Sequence, residues 1–106
     1  MYKISLITGD GIGPELSESA ISVLNTINEK FDLKFEITKL SAGDKALQET
    51  GKALPENVID TIKNSDVCLK APVGESAADV IVVLRRILDL YANIRPAKSY
   101  PHMPAL

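Results

Sequence analysis

The chain alternates between segments with strand-like and helix-like patterns of apolar residues, and this alternation restricts its possible folds more than any other feature. Residues Lys3–Thr8 alternate in polarity and are rich in β-formers, which predicts a strand. Pro14–Lys30 carries apolar residues three and four positions apart, which predicts a helix with Pro14 at its start. Further predicted strands lie at 33–40, 66–72 and 92–100, and further predicted helices at 44–50, from 55 onward and at 79–90. Strands that alternate with helices predict an α/β fold with three αβα layers and a mostly parallel sheet.

The last predicted helix and strand lie near the end of the chain. Asp79 suits the N-cap of this helix, because a short carboxylate can accept hydrogen bonds from the first free backbone N–H groups. Val80, Val83, Leu84 and Ile87 follow at spacings of three and four residues and predict the side that faces the core. We therefore expect this helix to cover the sheet and to lead into the final strand.

Size and composition indicate one domain. At 106 residues, with 45% hydrophobic and 25% charged residues, the chain has the composition of a globular domain with one modest core. No helix follows the predicted final strand, and an uncovered strand edge is a liability. We therefore expect residues 1–106 to be a single incomplete domain, the N-terminal part of the first α/β domain of a longer protein.

Charge and cysteine content argue against several classes of function. The net charge is −2 and the basic residues form no stripe, which argues against nucleic acid as a partner. The single cysteine, Cys68, has no partner for an internal disulfide, which favours a reducing compartment. No apolar run reaches the roughly 18 residues that a membrane-spanning helix needs, and the N-terminus lacks the layout of a signal peptide. These features predict a cytoplasmic protein.

The segment Gly9–Glu15 places three glycines between the first strand and the first helix. A dinucleotide-binding fingerprint requires the spacing G-x-G-x-x-G, whereas this chain has G-x-G-x-G followed by Pro14. Glu15, in the first helical turn, would also repel a phosphate. The residues alone therefore predict a tight turn in which glycine adopts positive φ, and not a phosphate site.

Two arginines point to a site for a small organic acid. Arg85 lies late in the last predicted helix, one turn after the apolar Ile81, and Arg95 lies in the last predicted strand. A guanidinium grips a carboxylate through two parallel hydrogen bonds, so two converging guanidinium groups fit a di- or tricarboxylate. On the residues alone, the stronger interpretation is that Arg85 is solvated or paired with Asp89 at i+4.

Two strings, Gly9–Glu15 and Leu84–Pro96, make the chain resemble the β-decarboxylating dehydrogenases, the family of isopropylmalate, isocitrate and homoisocitrate dehydrogenases. The resemblance is closest to the archaeal type of 3-isopropylmalate dehydrogenase and covers only the N-terminal portion of the family. It implies an enzyme that uses NAD and Mg²⁺ or Mn²⁺ to oxidise and decarboxylate a hydroxy-dicarboxylate, here 3-isopropylmalate in leucine biosynthesis. It also implies a homo-oligomer, a dimer or a tetramer.

The resemblance assigns substrate-binding roles to residues of the last helix and strand. It implies that Arg85 and Arg95 hold the malate carboxylates and that Ile81 touches the variable γ-substituent. Isocitrate-specific members typically carry serine and asparagine where this chain has Asp79 and Ile81. Asp79 would repel a third carboxylate and Ile81 would leave it unpaired, which is costly in a buried site. These residues favour 3-isopropylmalate, with isocitrate and homoisocitrate as the alternative substrates.

The resemblance also assigns cofactor contacts to two loops. It implies that Ile12 touches the nicotinamide end of NAD, and that the loop after the third predicted strand lines the nicotinamide ribose. Ligands of open α/β sheets usually bind at such carboxyl ends of strands. The residues of that loop are Lys70, Ala71, Pro72, Val73 and Gly74. Bacterial isopropylmalate enzymes usually carry Glu-Thr where this chain has Ala78-Asp79, so the way in which the ribose is held stays open.

The family's catalytic and metal-binding residues lie beyond position 106, so the resemblance implies no catalytic and no metal-ligating residue within this chain. We therefore expect the chain to be inactive by itself. An alternative of another class is a non-catalytic module that binds a carboxylate or associates with another subunit.

We assign no chemical function to the remaining reactive or aromatic residues. We expect His102 to be exposed, Cys68 to behave as a small apolar residue, and Tyr91 to pack in the core. Asp10 and Asp44 form no spaced metal cluster in the sequence, and no other function is predicted for them.

Overall fold

The computed structural model describes residues Met1–Pro104, which contain three strands and four helices. The strands are β1 (Tyr2–Ile7), β2 (Phe35–Leu40) and β3 (Val67–Lys70). The helices are α1 (Gly13–Phe31), α2 (Asp44–Thr50), α3 (Glu56–Lys63) and α4 (Ala77–Ile87). The strands form one parallel sheet in the order β2-β1-β3. Within the described chain, no helix is both long enough and apolar enough to cross a membrane.

Strand β1 is the centre of the sheet because both of its edges are paired. Its register places Tyr2 opposite Phe35 of β2 and Ile4 opposite Val67 of β3. Its last four residues are buried, whereas β2 and β3 are only partly buried. This is the pattern expected of a strand with a neighbour on each side and helices on both faces.

The helices lie on both faces of the sheet, so the predicted three-layer α/β fold with a parallel sheet is confirmed. Successive strand side chains point to opposite faces. Leu6 lines an apolar groove of about 200 Å³ with Leu16 and Ala20 of α1. Ile7 points to the other face, where α3 and α4 complete the main core. That core consists of Ile7, Ala42, Ala53, Leu54, Val58, Ile62, Val80 and Leu84.

Several element boundaries agree closely with the sequence patterns. Helix α2 spans Asp44–Thr50 as predicted, and α1 is one residue longer at each end than the predicted 14–30. Helix α2 ends where Gly51 adopts a left-handed φ of 77°. A left-handed residue directs the chain away from the helix axis, so the position of this glycine determines where α2 stops.

The strand predicted at 92–100 is wrong. Residues 91–100 are irregular, and Tyr91, which was expected in the core, is fully exposed at 101%. A strand needs a neighbour for its backbone N–H and C=O groups. Within the described chain the sheet ends at β2 on one side and β3 on the other. β-Propensity alone therefore does not make this segment a strand.

The start of α4 and its predicted core-facing side also differ from expectation. Helix α4 begins at Ala77, with Ser76 and not Asp79 at its N-cap. Val80 and Leu84 are buried as predicted, but Val83 is 37% exposed. The spacing of three and four residues marks an apolar stripe that is wider than the surface α4 buries here.

Gly9 and Gly11 allow a matched test of how closely the turn after β1 approaches the loop after β3. Both adopt left-handed φ angles, 68° and 57°, so alanine strains the backbone similarly at either position. A Cβ at Gly9 would collide with the carbonyl oxygen of Pro72, whereas a Cβ at Gly11 would meet nothing within 4 Å.

We predict that Gly9→Ala lowers the free energy of unfolding by about 1–3 kcal/mol more than Gly11→Ala, the usual cost of overpacking. Urea denaturation followed by circular dichroism compares the two variants with the unchanged chain. Equal losses of stability in the two variants would contradict the close approach.

Candidate functional site

The loops that follow the three strands meet at one edge of the sheet, because parallel strands place their carboxyl ends on the same side. Hydrogen bonds join these loops directly. The backbone N–H of Asp10 donates to the carbonyl of Pro72 at 2.9 Å, and that of Thr8 donates to the carbonyl of Leu40 at 3.2 Å. The glycine turn is therefore attached to the loop after β3, and the residue before it is attached to the end of β2.

The carboxylate of Asp10 holds the other two loops together. Its Oδ2 accepts the N–H of Asp44 at 2.9 Å and that of Gly74 at 3.1 Å, and its Oδ1 accepts the N–H of Lys45 at 3.1 Å. Asp44 and Lys45 are the first residues of α2, whose N-cap, Gly43, has no capping side chain. Asp10 therefore caps α2 from another loop and contacts the loop after β3 with the same group.

The carboxylate of Asp44 extends this connection to α4. Its Oδ2 accepts the N–H of Glu75 at 3.0 Å. Its Oδ1 accepts the N–H of Ser76 at 2.9 Å and the hydroxyl of Ser76 at 2.6 Å. Asp44 thus supplies the carboxylate at the start of α4 that was expected from Asp79. We refer to the side chains of Asp10 and Asp44 as the carboxylate relay.

The relay lowers the pKa values of both of its carboxyl groups. Partial burial raises the pKa of Asp10, but hydrogen bonds from the N–H groups of Gly74, Asp44 and Lys45 outweigh it, and the pKa falls below the ordinary 3.8. The hydroxyl and the N–H of Ser76 lower the pKa of Asp44 below the same value. Both side chains are therefore charged at neutral pH and act as hydrogen-bond acceptors.

Two glycines leave the space that the relay occupies. A Cβ at Gly43 would contact the carboxylate of Asp10, and a Cβ at Gly74 would contact the carboxylate of Asp44. Any larger residue at either position would displace a carboxylate from its N–H donors. The relay and these glycines therefore form one packed unit.

The residues predicted to contact a cofactor lie at this edge of the sheet. Ile12, at the N-cap of α1, is 63% exposed, and Pro72 and Gly74 are exposed as well. Ala71 is buried, and its carbonyl accepts a hydrogen bond from Nζ of Lys70 at 2.9 Å. Val73 is half-buried and packs against the main core. The structure therefore brings the glycine turn and residues 70–74 together, while their role towards NAD stays a prediction.

The residues predicted to bind substrate are brought together only in part. Ile81 is half-buried and Arg85 is exposed one turn later on α4, while Asp79 is exposed in its first turn. Arg95 is exposed in the irregular segment 91–100 and not in a strand. The helix-to-strand turn that was expected to bring both guanidinium groups together is absent from the described chain. Their convergence on one carboxylic acid stays a prediction.

Arg85 is solvated. Within residues 1–104 the ion pairs are Lys39–Glu18, Lys45–Glu49 and Lys52–Glu56, so the pairing with Asp89 considered from the sequence is not formed. An exposed guanidinium without an internal carboxylate partner is available to an external one.

Comparison with known proteins identifies the family. A family model described as isocitrate/isopropylmalate dehydrogenase matches residues 3–105. The chain belongs to the isocitrate/isopropylmalate dehydrogenase family. It is 52% identical over 100 residues to a 3-isopropylmalate dehydrogenase of Sulfurisphaera tokodaii, a match that covers 94% of this chain and 30% of the relative. It is 50% identical over 106 residues to a 3-isopropylmalate/3-methylmalate dehydrogenase of Methanocaldococcus jannaschii, with 100% and 31% covered.

Solved structures agree with this family membership. An isocitrate dehydrogenase from Methylococcus capsulatus matches with a TM-score of 0.68 and 36% identity, covering 86% of this chain and 27% of that one. The apo form of a β-decarboxylating dehydrogenase from Thermococcus kodakarensis matches with the same TM-score and 29% identity, covering 86% and 28%. The chain spans about 30% of the length of the curated relatives it matches.

The metal implied by the family does not fit the described residues. Among residues 1–104, no three His, Cys, Asp or Glu side chains are grouped to hold an ion. Backbone N–H donors already occupy both relay carboxylates.

The carboxylate relay was missed by sequence reasoning, although a signal for it exists. Asp10 and Asp44 each directly follow a glycine in the turn or loop after a strand. Acids at the ends of parallel strands face the N-termini of neighbouring helices, where a negative charge is stabilised. The pattern Gly-Asp after two strands could have predicted that these acids cap helices of the family fold.

We predict that Asp10→Asn lowers the free energy of unfolding at pH 7 by about 1–2 kcal/mol, because the amide offers the three N–H donors one neutral acceptor oxygen in place of two charged ones. Because folding lowers the pKa of Asp10, its contribution is complete above the unfolded-state pKa and is lost as the pH falls through the folded-state pKa. The difference between the unchanged chain and the variant should therefore shrink as the pH falls below about 4.

Urea denaturation at a series of pH values measures this difference. Asp60→Asn, which removes the same charge from an exposed side chain of α3, serves as the control and should stay close to the unchanged chain at pH 7. A stability gap for Asp10→Asn that does not shrink between pH 7 and pH 2.5 would contradict the role of the ionised carboxylate.

Proposed function

We propose that this chain is the N-terminal part of an NAD-dependent β-decarboxylating dehydrogenase that acts on 3-isopropylmalate. The observation that carries the proposal is the identity of about 50% over 94–100% of the chain to proteins named for that activity. The reaction oxidises the hydroxyl carbon of the substrate and then releases its β-carboxylate as CO₂. NAD, when bound, accepts the hydride, and the divalent ion, Mg²⁺ or Mn²⁺, has its ligands outside residues 1–104.

The substrate preference is assigned to the first two turns of α4, where Asp79 is exposed and Ile81 is half-buried. Asp79 and Ile81 present a negative charge and an aliphatic group on the first turns of this helix. A γ-isopropyl group fits beside Ile81 without loss of a hydrogen bond. A γ-carboxylate there would meet the charge of Asp79 and find no donor, which disfavours isocitrate and homoisocitrate.

The carboxylates of the substrate are assigned to Arg85 and Arg95. Both guanidinium groups are exposed, so neither is committed to another element of the described chain. Each can donate two parallel hydrogen bonds to one carboxylate. Together they would neutralise and orient the malate portion of the substrate, which is common to all members of the family.

The cofactor is assigned to the edge at which the strand-end loops meet. The exposed side chain of Ile12 offers an apolar surface for a flat nicotinamide ring. Residues 70–74 lie beside it and expose Pro72 and Gly74, where a ribose can approach the backbone closely. We assign the protein to the cytoplasm and expect the complete enzyme to be a homo-oligomer.

A chimera tests the proposed function directly. Residues 1–106 replace the matching N-terminal segment of the Sulfurisphaera tokodaii relative, to which they are 52% identical. We expect the chimera to reduce NAD in the presence of 3-isopropylmalate and Mg²⁺, and to do so faster than with isocitrate. A folded chimera without activity would contradict the function and favour a non-catalytic module, and equal rates on isocitrate would contradict the substrate.

The same chimera tests the assigned guanidinium group. Arg85→Gln should lower kcat/KM for 3-isopropylmalate by about 10²-fold, the loss expected for a charge-assisted pair of hydrogen bonds. Arg86→Gln is the matched control, because Arg86 is the exposed neighbour on the same helix and has no assigned role. Similar losses in the two variants would contradict the role of Arg85.

A further inference from the structure

We propose that Asp10 is a positioning residue for the coenzyme: its carboxylate fixes residues 71–76 against the turn that carries Ile12. The proposal rests on the function proposed above, because it concerns the edge assigned to NAD. It assigns to Asp10 no contact with substrate or coenzyme. Its effect passes through the backbone that Asp10 holds.

Asp10 forms two hydrogen bonds with the loop after β3. Its own N–H donates to the carbonyl of Pro72 at 2.9 Å, and its Oδ2 accepts the N–H of Gly74 at 3.1 Å. Two bonds from one residue, spaced two positions apart on the loop, fix both the position and the direction of that loop. Ile12 follows Asp10 by two residues, so the same residue links both predicted coenzyme contacts.

The relay adds a second, indirect hold on the same loop. Oδ2 of Asp10 also accepts the N–H of Asp44, whose carboxylate in turn accepts the N–H groups of Glu75 and Ser76. The loop is thereby fixed at Pro72, at Gly74 and at the start of α4. Removal of the Asp10 carboxylate releases Gly74 directly and leaves Asp44 without the acceptor of its own N–H.

Both relay carboxylates pack closely against glycines. Gly43 lies against the carboxylate of Asp10 and Gly74 lies against that of Asp44, with no room for a Cβ at either. The absence of a side chain at these two glycines gives the carboxylates the room they occupy. Asparagine at position 10 keeps one acceptor oxygen and turns an N–H₂ group towards the remaining donors, so it weakens the attachment of the loop and of α2 to the glycine turn.

Asp66 provides a control of matched chemistry at the opposite edge of the sheet. Its Oδ2 accepts the N–H of Lys3 at 2.7 Å, and its own N–H donates to the carbonyl of Lys3 at 2.9 Å. Like Asp10, it joins the start or end of β1 to a neighbouring loop through one carboxylate. Asp66 precedes β3, however, so it lies at the opposite end of the strands from Ile12 and Gly74.

Kinetic constants of the chimera distinguish a role of Asp10 in coenzyme binding from a role in stability alone. Asp10→Asn should raise KM for NAD about tenfold and leave KM for 3-isopropylmalate within about twofold, since small displacements at a ligand-binding loop carry large costs. Asp66→Asn should leave both KM values unchanged. If the two variants shift KM for NAD equally, or if Asp10→Asn shifts neither constant, the positioning role is wrong.

A readout independent of activity keeps the inference testable if the chimera does not turn over. In the ¹H–¹⁵N spectrum of the 106-residue chain, Asp10→Asn should shift the amide resonances of Ile12, Gly74 and Ser76, and Asp66→Asn should not. Unshifted loop resonances in Asp10→Asn would overturn the inference. Shifted resonances together with an inactive chimera would support the inference and contradict the proposed function alone.

Discussion

The carboxylate of Asp10, bonded to backbone N–H groups of two other loops, is the interaction on which the rest of this edge depends. A parallel sheet brings the ends of its strands together but leaves the helices that follow with unpaired N–H groups. Asp10 satisfies such groups at α2 and in the loop after β3, and Asp44 satisfies those at the start of α4. Two charges thereby connect all three strand-end loops. Glycines at 9, 43 and 74 provide the space for this arrangement.

Features that depend on local sequence could be predicted, whereas features that depend on distant partners could not. The spacing of apolar residues predicted α1, and the stop signal of Gly51 predicted the end of α2, almost to the residue, because both signals lie in the segment itself. The prediction of a strand at 92–100 was wrong because a strand needs a neighbouring strand for its backbone N–H and C=O groups. The prediction of Asp79 as the N-cap of α4 was wrong, because the carboxylate that accepts the N–H of Ser76 belongs to Asp44, 32 positions away. Asp79 has the chemistry of a capping residue, but it lies inside the first turn of α4 and not at its N-cap.

The candidate site likewise has a part that could be predicted from the sequence and a part that could not. Ile12 and residues 70–74 share an edge because strand order alone places them there, so the resemblance and the topology agree on that part. The pairing of Arg85 with Arg95 depended on the failed strand, so only the position of Arg85 on α4 follows from the described structure. Family membership and an identity of about 50% to proteins named 3-isopropylmalate dehydrogenase are the basis for assigning these residues to substrate and coenzyme.

The central claim is that Asp10 and Asp44 act as one connected unit, and a double-mutant cycle tests it most directly. The free energy of unfolding is measured for the unchanged chain, for Asp10→Asn, for Asp44→Asn and for the double variant. Residues in one hydrogen-bond network are coupled. We predict that the double variant loses less stability than the sum of the single losses, because either substitution already loosens the loop after β3. Losses that add within experimental error would show that the two carboxylates act independently and would contradict the account.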